Sequence, residues 1–231
     1  MMKYIYCHPL FEERKSAHRF AWQLERRFEE ANRKLTRFDY QCTGEETGQF
    51  CDVSIDSLIA DIDKIADAGE IVLIGLRLGA TLAFLFTLKN PGRVKKLIMI
   101  SPVINGSNYI EYLIRKQKIK NIMTDNIENS PSDHFINIEG YKTSQLLLEQ
   151  IKKINPTKYD LDSTNQKNSI SILNTINSMT NNTEISEFVE SLQKKGFKAN
   201  SKSIEFPPIW ERIGHKDCTP LADSVMELCY D

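Results

Sequence analysis

The 231-residue chain carries 30 basic and 31 acidic residues, and its net charge of −1 gives no electrostatic argument for binding nucleic acid or an acidic membrane. Hydrophobic residues make up 41% of the chain, which is enough for a sizeable core, and no apolar run approaches the roughly 20 residues that span a bilayer. We therefore expect residues 1–231 to form a single globular domain.

The cysteines and the first residues point to a cytoplasmic protein. The five cysteines are scattered, odd in number and without CxxC spacing, which is typical of a reducing compartment. The first ten residues, MMKYIYCHPL, lack the apolar core of a signal peptide. No Cys/His cluster has ligand spacing, and we predict neither a metal nor an organic cofactor.

The first part of the chain alternates between strand and helix patterns. Residues 3–7 predict a short strand, and apolar residues at helical spacing predict a helix over 12–34. A second strand is predicted at 35–40, and an amphipathic helix at 55–68. This alternation favours a parallel sheet with helices on its faces.

The stretch IVLIGLRLGATLA at 71–83 predicts a buried strand, a sharp turn and a helix rich in small residues. Gly75 and Gly79 bracket the turn, as the glycines of the nucleophile elbow G-x-S-x-G do, but the central position holds Arg77. A guanidinium stays protonated, so Arg77 cannot serve as a serine-like nucleophile. The helix that begins near Leu78 directs its N–H groups at the turn, where they can hold an anion or a developing oxyanion.

The loop after the first strand supplies two further groups of candidates. In proteins with a nucleophile elbow, the loop after the first strand usually donates an oxyanion-hole amide, and Leu10 or Phe11 is the candidate here. Glu12 and Glu13 are either a solvated helix start or the source of an inward carboxylate that neutralises Arg77. A buried arginine without a partner is costly, so Arg77 is expected to hold its own glutamate or the carboxylate of a ligand.

The second half continues the strand–helix alternation around one insertion. Strands are predicted at 94–100, 170–174 and 198–206. Residues 104–168 are expected to form a cap-like insertion, with a polar loop at 121–138. The resulting fold class is α/β, with a mainly parallel central sheet, helices on both faces and a short cap.

Little of a catalytic triad remains in the sequence. His215 lies in the loop between the last strand and the last helix, where hydrolases place their histidine, although a free surface histidine has the same pattern. The loop after strand 170–174 has no carboxylate before Glu184, which fits better as the start of a helix. Ser101 ends a strand and is a weak substitute nucleophile, and Trp210 is a candidate to fill the pocket.

On these residues the chain resembles the α/β-hydrolase superfamily, and more narrowly the hydrolase-like proteins associated with bacterial exosortase gene clusters. That subgroup also carries arginine at the elbow, so the resemblance implies that Arg77 is a family trait. The matching stretches are HPLFEERKSAHR at 8–19, DYQCTGEETGQF at 39–50, GLRLGATLA at 75–83 and SPVINGSNYIEYLIR at 101–115, with weaker support from EGYKTSQLL at 139–147 and PPIW at 207–210.

Three functional hypotheses remain open. In the first hypothesis, the chain is a pseudoenzyme with a degenerate elbow. It acts as a binding or accessory protein, and its partner is a small acyl or carboxylate ligand or another protein. Alternatively it is an active esterase, thioesterase or acyltransferase that uses a displaced base such as His215, an argument that rests on fold analogy. In the third hypothesis it is a scaffold subunit whose elbow helix only packs.

Overall fold

A computed structural model of the chain describes residues 2–67, 69–123, 135–159, 168–175, 182–211 and 217–230. Strands and helices alternate along them. The strands are β1 Lys3–Cys7, β2 Leu35–Arg37, β3 Ile71–Leu76, β4 Val94–Ile100, β5 Phe135–Ile138, β6 Tyr141–Ser144, β7 Ser169–Thr175 and β8 Lys198–Ile204. The helices are α1 Phe11–Ser16, α2 His18–Glu30, α3 Ile55–Ala66, α4 Leu78–Lys89, α5 Gly106–Met123, α6 Gln145–Lys152, α7 Asn182–Lys194 and α8 Thr219–Tyr230.

Six strands form one parallel sheet in the order β2-β1-β3-β4-β7-β8. β3 is buried along its whole length, as expected for a central strand covered on both faces. The chain extends first from β1 to β2 and then in the opposite direction from β3 onward. In open parallel sheets the crevice at such a reversal, beyond the carboxyl ends of the strands, is where ligands bind. The parallel pairing of all six strands confirms the predicted mainly parallel sheet.

Each face of the sheet has its own hydrophobic core. Side chains alternate along the strands, so that Ile5 and Leu73 face the core covered by α3, α4 and α7. Tyr6 and Ile74 face the opposite core, which α2 and α8 cover. Both sets of side chains are almost completely buried. None of the helices in the described ranges is long and apolar enough to cross a membrane.

Two elements differ from the sequence-based expectation. The helix predicted over 12–34 is two helices, α1 and α2, separated at Ala17, whose N–H still bonds to the Glu13 carbonyl. The second difference lies in the stretch 121–138, predicted as a polar loop. Its first three residues end α5, residues 124–134 lie outside the described ranges, and 135–138 form β5.

The antiparallel hairpin β5–β6 lies between α5 and α6, within the stretch predicted as a cap. Its two-residue turn consists of Glu139 and Gly140, both with positive φ, 53° and 94°. Positive φ at both central positions is what a tight antiparallel hairpin requires. The buried Glu139 carboxylate accepts the backbone N–H of Glu12 at 3.3 Å and pairs with Lys116 at 2.5 Å, which ties the hairpin to the start of α1 and to α5.

Candidate functional site around Arg77

The turn between β3 and α4 places one residue, Arg77, at the carboxyl edge of the sheet. Its backbone adopts φ 54° and ψ −125°, a strained conformation for a residue with a side chain. The flanking glycines are required by close packing. A Cβ on Gly75 would lie 2.3 Å from Ala80 Cα, and a Cβ on Gly79 would lie 2.3 Å from the His8 carbonyl oxygen. The G-x-R-x-G spacing is therefore the signature of a tight strand–turn–helix junction.

The Arg77 side chain is 3% exposed and packs in a cage of polar and aromatic groups. Its Nε donates to Glu13 Oε1 at 3.3 Å, and Nη1 donates to the Ser101 carbonyl at 3.1 Å. The guanidinium carbon lies 4.7 Å from the ring centre of Trp210 and 5.5 Å from that of Tyr109. The charge is thus balanced by a carboxylate and by the electron-rich faces of two rings.

Glu13 is the glutamate that turns inward, and it is completely buried. Its second oxygen accepts the Tyr109 hydroxyl at 3.0 Å, so both carboxylate oxygens have partners. Burial raises the pKa of Glu13, and Arg77 and the Tyr109 hydroxyl oppose that rise. Glu12, by contrast, lies at the surface of α1 and pairs with Lys15 at 2.8 Å.

The candidate oxyanion-hole residues lie on the two turns that meet here. Leu10 is the N-cap of α1, and Phe11 begins that helix with φ 57°, a second strained position. Leu78 begins α4 directly after Arg77. All three side chains are buried, and the Phe11 ring packs edge-to-face on Phe50. A role for their backbone N–H groups in stabilising charge stays a prediction.

Two triad candidates, Ser101 and Glu184, lie beside Arg77 in the described part of the chain: the Ser101 carbonyl accepts from the guanidinium, and Glu184 lines a pocket that Arg77 also lines. The Ser101 side chain is fully buried, and its hydroxyl lies 3.2 Å from the Thr175 hydroxyl and accepts the Thr175 N–H at 3.2 Å. Ser101 therefore contributes its carbonyl to the cage rather than a nucleophile. Glu184 lies in the first turn of α7, as predicted for a helix start, where burial raises its pKa. His215 lies outside the described residues.

A small pocket of about 80 Å³ opens beside the cage. Its wall is mixed: apolar and aromatic side chains alternate with two asparagines, one carboxylate and the Arg77 guanidinium. It is lined by Arg77, Pro102, Val103, Ile104, Asn105, Asn108, Tyr109, Tyr112 and Glu184. No three His, Cys, Asp or Glu side chains of the described ranges are grouped so that they could hold a metal ion.

Two cage residues, Tyr109 and Trp210, were not predicted as partners of Arg77. Trp210 was expected to fill the pocket, and it is fully buried against the guanidinium. Tyr109 carried only the signal of an apolar position on a helix, because nothing in its local pattern indicates that its hydroxyl reaches Glu13. Both residues come from parts of the chain far from Arg77 in sequence.

The parallel sheet, the strained turn and the helix that follows it define an α/β-hydrolase-like protein, and solved structures agree. Mouse alpha/beta hydrolase domain-containing protein 10 aligns with a TM-score of 0.62 and 15% identity, over 99% of this chain and 89% of that one. A lipase-esterase related protein from Clostridium acetobutylicum aligns with a TM-score of 0.64 and 14% identity, over 98% of this chain and 94% of that one. Est1E from Butyrivibrio proteoclasticus, solved with ferulic acid bound, has a TM-score of 0.64 and 15% identity, over 100% of this chain and 88% of that one.

The family is shown by the sequence itself. The model of the Ndr family matches residues 45–206, which include β3, the Arg77 turn and all of β4 to β8, and the chain belongs to that family. A search of curated proteins gave no match. At 15% identity or less, the structural similarities establish the fold and carry no substrate to this chain.

Proposed function

We propose that this chain is a hydrolase-fold protein without serine-type nucleophilic catalysis, which acts as a binding or accessory protein. The observation that carries the proposal is the cage: the side chain at the elbow-like turn is an arginine, buried against Glu13 and stacked on Trp210. In an active elbow the nucleophilic oxygen is exposed above the sheet. Here the corresponding position holds a protonated group that cannot attack a carbonyl carbon.

The cage also bears on what the pocket binds. Arg77 already has a carboxylate partner in Glu13, so a ligand does not have to supply one. The pocket beside it has apolar wall residues that include Val103 and Ile104, and Asn108 offers a hydrogen-bonding side chain. We infer that this pocket favours a small acyl group over a free carboxylate, because Arg77 is already paired with Glu13 and the Glu184 carboxylate on the wall would repel a second negative charge.

The same proposal covers the finer expectations from the sequence. The described parts of residues 104–168 serve as a cap over this pocket, since α5 supplies Tyr109 and Tyr112 to its wall. The resemblance to exosortase-associated proteins is consistent with an accessory role, with a protein partner and with a cytoplasmic location. Each of these remains a prediction.

An active esterase, thioesterase or acyltransferase is the alternative. It requires His215 to activate water or an acceptor, and its support is the fold shared with the lipase-esterase related protein and with Est1E. Ser101 offers this alternative no help, since its hydroxyl is buried beside Thr175. We therefore place it second.

Hydrolysis assays separate the two functions. Short p-nitrophenyl esters and acyl-thioesters are incubated with wild type and with His215→Ala, alongside labelling by a fluorophosphonate. We expect background turnover in both proteins and no covalent label, because the elbow position holds an arginine in place of a nucleophile. Wild-type turnover that disappears in His215→Ala would establish an unconventional hydrolase and refute the proposal.

A gain-of-function pair tests whether the turn is otherwise intact. Arg77→Ser is combined with Glu13→Gln, because removing Arg77 alone leaves a buried carboxylate without its cation. The matched control is Arg77→Ala with Glu13→Gln, which lacks the hydroxyl. Fluorophosphonate labelling of the serine variant alone would show that the arginine is what blocks hydrolase chemistry. Equal failure of both would place the loss of function beyond one residue.

A further inference from the structure

A second and larger crevice, of about 600 Å³, lies at the carboxyl ends of β1 and β2. We call it the β1–β2 crevice. It shares no lining residue with the pocket beside Arg77. The end of β1, the α1–α2 junction and the loop after β2 form its walls. It is lined by Tyr6, His8, Pro9, Arg14, Ala17, His18, Ala21, Arg37, Phe38, Asp39, Gly44, Glu45 and Glu46.

Two buried polar atoms of this wall lack a hydrogen-bond partner in the described part of the chain. They are the Tyr6 hydroxyl and His8 Nε2. Tyr6 is 1% exposed and His8 is 7% exposed, so both residues are almost completely shielded from bulk solvent. Buried polar atoms in native proteins are nearly always paired, with protein groups, ordered water or a bound molecule. Two such atoms on one crevice wall indicate a site that is completed from outside.

The bonds of the His8 ring decide what the missing partner must be. Nδ1 lies 3.0 Å from the Pro9 carbonyl oxygen, which can only accept, so Nδ1 carries a proton. In the neutral ring Nε2 is then an acceptor and needs a donor. Its nearest charged neighbour, Asp39 Oδ1, is 3.6 Å away and is itself an acceptor. The Tyr6 hydroxyl can donate or accept.

The two arginines of the wall and Asp39 already have partners within the chain. Arg14 pairs with Asp39, and Arg37 pairs with Glu25 at 2.6 Å. The Asp39 carboxylate also accepts the Glu45 N–H at 3.1 Å. A Cβ on Gly44, whose φ is +60°, would lie 2.0 Å from Asp39 Oδ2, so the loop is closely fitted to this pair. Neither arginine of the wall is therefore left unpaired to select an anionic ligand.

We propose that the β1–β2 crevice binds a neutral polyhydroxylated molecule, a sugar or a polyol. A hydroxyl group can both donate to His8 Nε2 and accept from the Tyr6 hydroxyl through a single atom. A polyol can also share hydrogen bonds with the Arg14–Asp39 pair without disturbing its charge balance. The half-buried ring of Phe38, which packs on Tyr40 at 4.9 Å, adds an apolar surface for a sugar face.

The test is a titration followed by NMR at His8. The 15N-labelled wild type is titrated with D-glucose, D-galactose, D-mannose and myo-inositol at millimolar concentrations, and the ring nitrogens are read through long-range proton–nitrogen correlations. We expect a saturable shift of His8 Nε2 with at least one of these probes. Tyr6→Phe should weaken its binding about 2- to 10-fold, the effect of losing one hydrogen bond.

Matched variants separate binding from folding. Tyr4→Phe is the control on the same strand and face, because the Tyr4 hydroxyl already has a partner in Arg33 and Tyr4 does not line the crevice. His8→Asn keeps a donor for the Pro9 carbonyl and removes the Nε2 acceptor, so it should lose binding while it stays folded. Tyr112→Phe alters the pocket beside Arg77 and should leave the titration unchanged.

Three results would overturn the proposal. They are the absence of a saturable shift with every sugar and with myo-inositol, a shift only with inorganic phosphate or glycine, and a doubly protonated His8 at neutral pH. In the last case Nε2–H would donate to Asp39 and the atom would be satisfied within the chain. None of these readouts depends on hydrolysis, so they are independent of the function proposed for the Arg77 site.

Discussion

A single residue type decides the chemistry at the elbow-like turn. The sequence predicts that Arg77 is buried after β3, and elementary electrostatics then requires a carboxylate partner. It could not choose between Glu12 and Glu13, because both are acidic first-turn positions of α1. In the structure the choice follows from the rotation of α1 about its axis: Glu13 faces the core and pairs with Arg77, whereas Glu12 pairs with Lys15.

Removing either partner of the buried pair should be costly, and removing both should cost less. We expect Arg77→Met to lower the free energy of unfolding by about 3–5 kcal/mol, because Glu13 is left buried without its cation. Arg77→Met combined with Glu13→Leu should recover most of that loss, since no buried charge remains. Urea denaturation of the two single variants and the double variant gives the coupling energy.

The control for this cycle is Lys89→Met, which breaks the exposed pair with Asp56 and should change stability little. Strictly additive losses for Arg77 and Glu13 would contradict the proposed pairing. Tryptophan fluorescence offers a parallel readout of the pair. Trp210 is buried and stacks on the guanidinium, whereas the other tryptophan, Trp22, is 42% exposed.

At the scale of elements, close packing of α4 on β1 fixes the position of the turn. The stretch 71–83 was enough to predict β3, the turn and α4, because glycines that bracket the end of a buried strand strongly favour a tight strand–turn–helix junction. The hairpin β5–β6 was missed because its turn is Glu139-Gly140, and a glutamate at positive φ is not a common hairpin signal. The break at Ala17 lacks a glycine or proline that would mark it.

Gly79→Ala should therefore be far more damaging than an ordinary glycine substitution. The added methyl would lie 2.3 and 2.4 Å from the carbonyl oxygens of His8 and Cys7, so α4 would have to move away from β1. We expect a loss of several kcal/mol, beyond the roughly 1–3 kcal/mol of usual overpacking, because the neighbours are backbone atoms.

Gly69→Ala is the matched control, since its Cβ would meet no atom of the described residues within 4 Å. That variant should stay within about 0.5 kcal/mol of wild type in thermal or urea unfolding. A tolerated Gly79→Ala would mean that the close approach of α4 to β1 is not required.

Across the whole molecule, the two cores determine which thiols react. Cys7 and Cys218 are buried, one in each core, and burial raises the pKa of Cys7 to about 12. Cys229 packs at the edge of the second core, where burial likewise raises its pKa to about 12. Cys42 and Cys51 are half-buried near the surface.

We expect Ellman's reagent to label two of the five cysteines of the native protein, Cys42 and Cys51, and all five after unfolding. The physical reason is that only an accessible thiolate reacts. Cys42→Ser with Cys51→Ser should abolish native labelling. Fast native labelling of that double variant would show that one of the cores opens in solution.

The arrangement of the sheet has a consequence for biosynthesis. β1 lies inside the sheet with β2 and β3 on either side, so its neighbours emerge soon after it. The core that contains Tyr6 and Ile74 is different: α2 covers part of it early, but α8 follows every strand of the sheet in the chain. A ribosome adds about 5–20 residues per second, so for several seconds a nearly complete sheet presents an apolar face that α8 does not yet cover. This face is where a chaperone is most needed, and where aggregation of the nascent chain would begin.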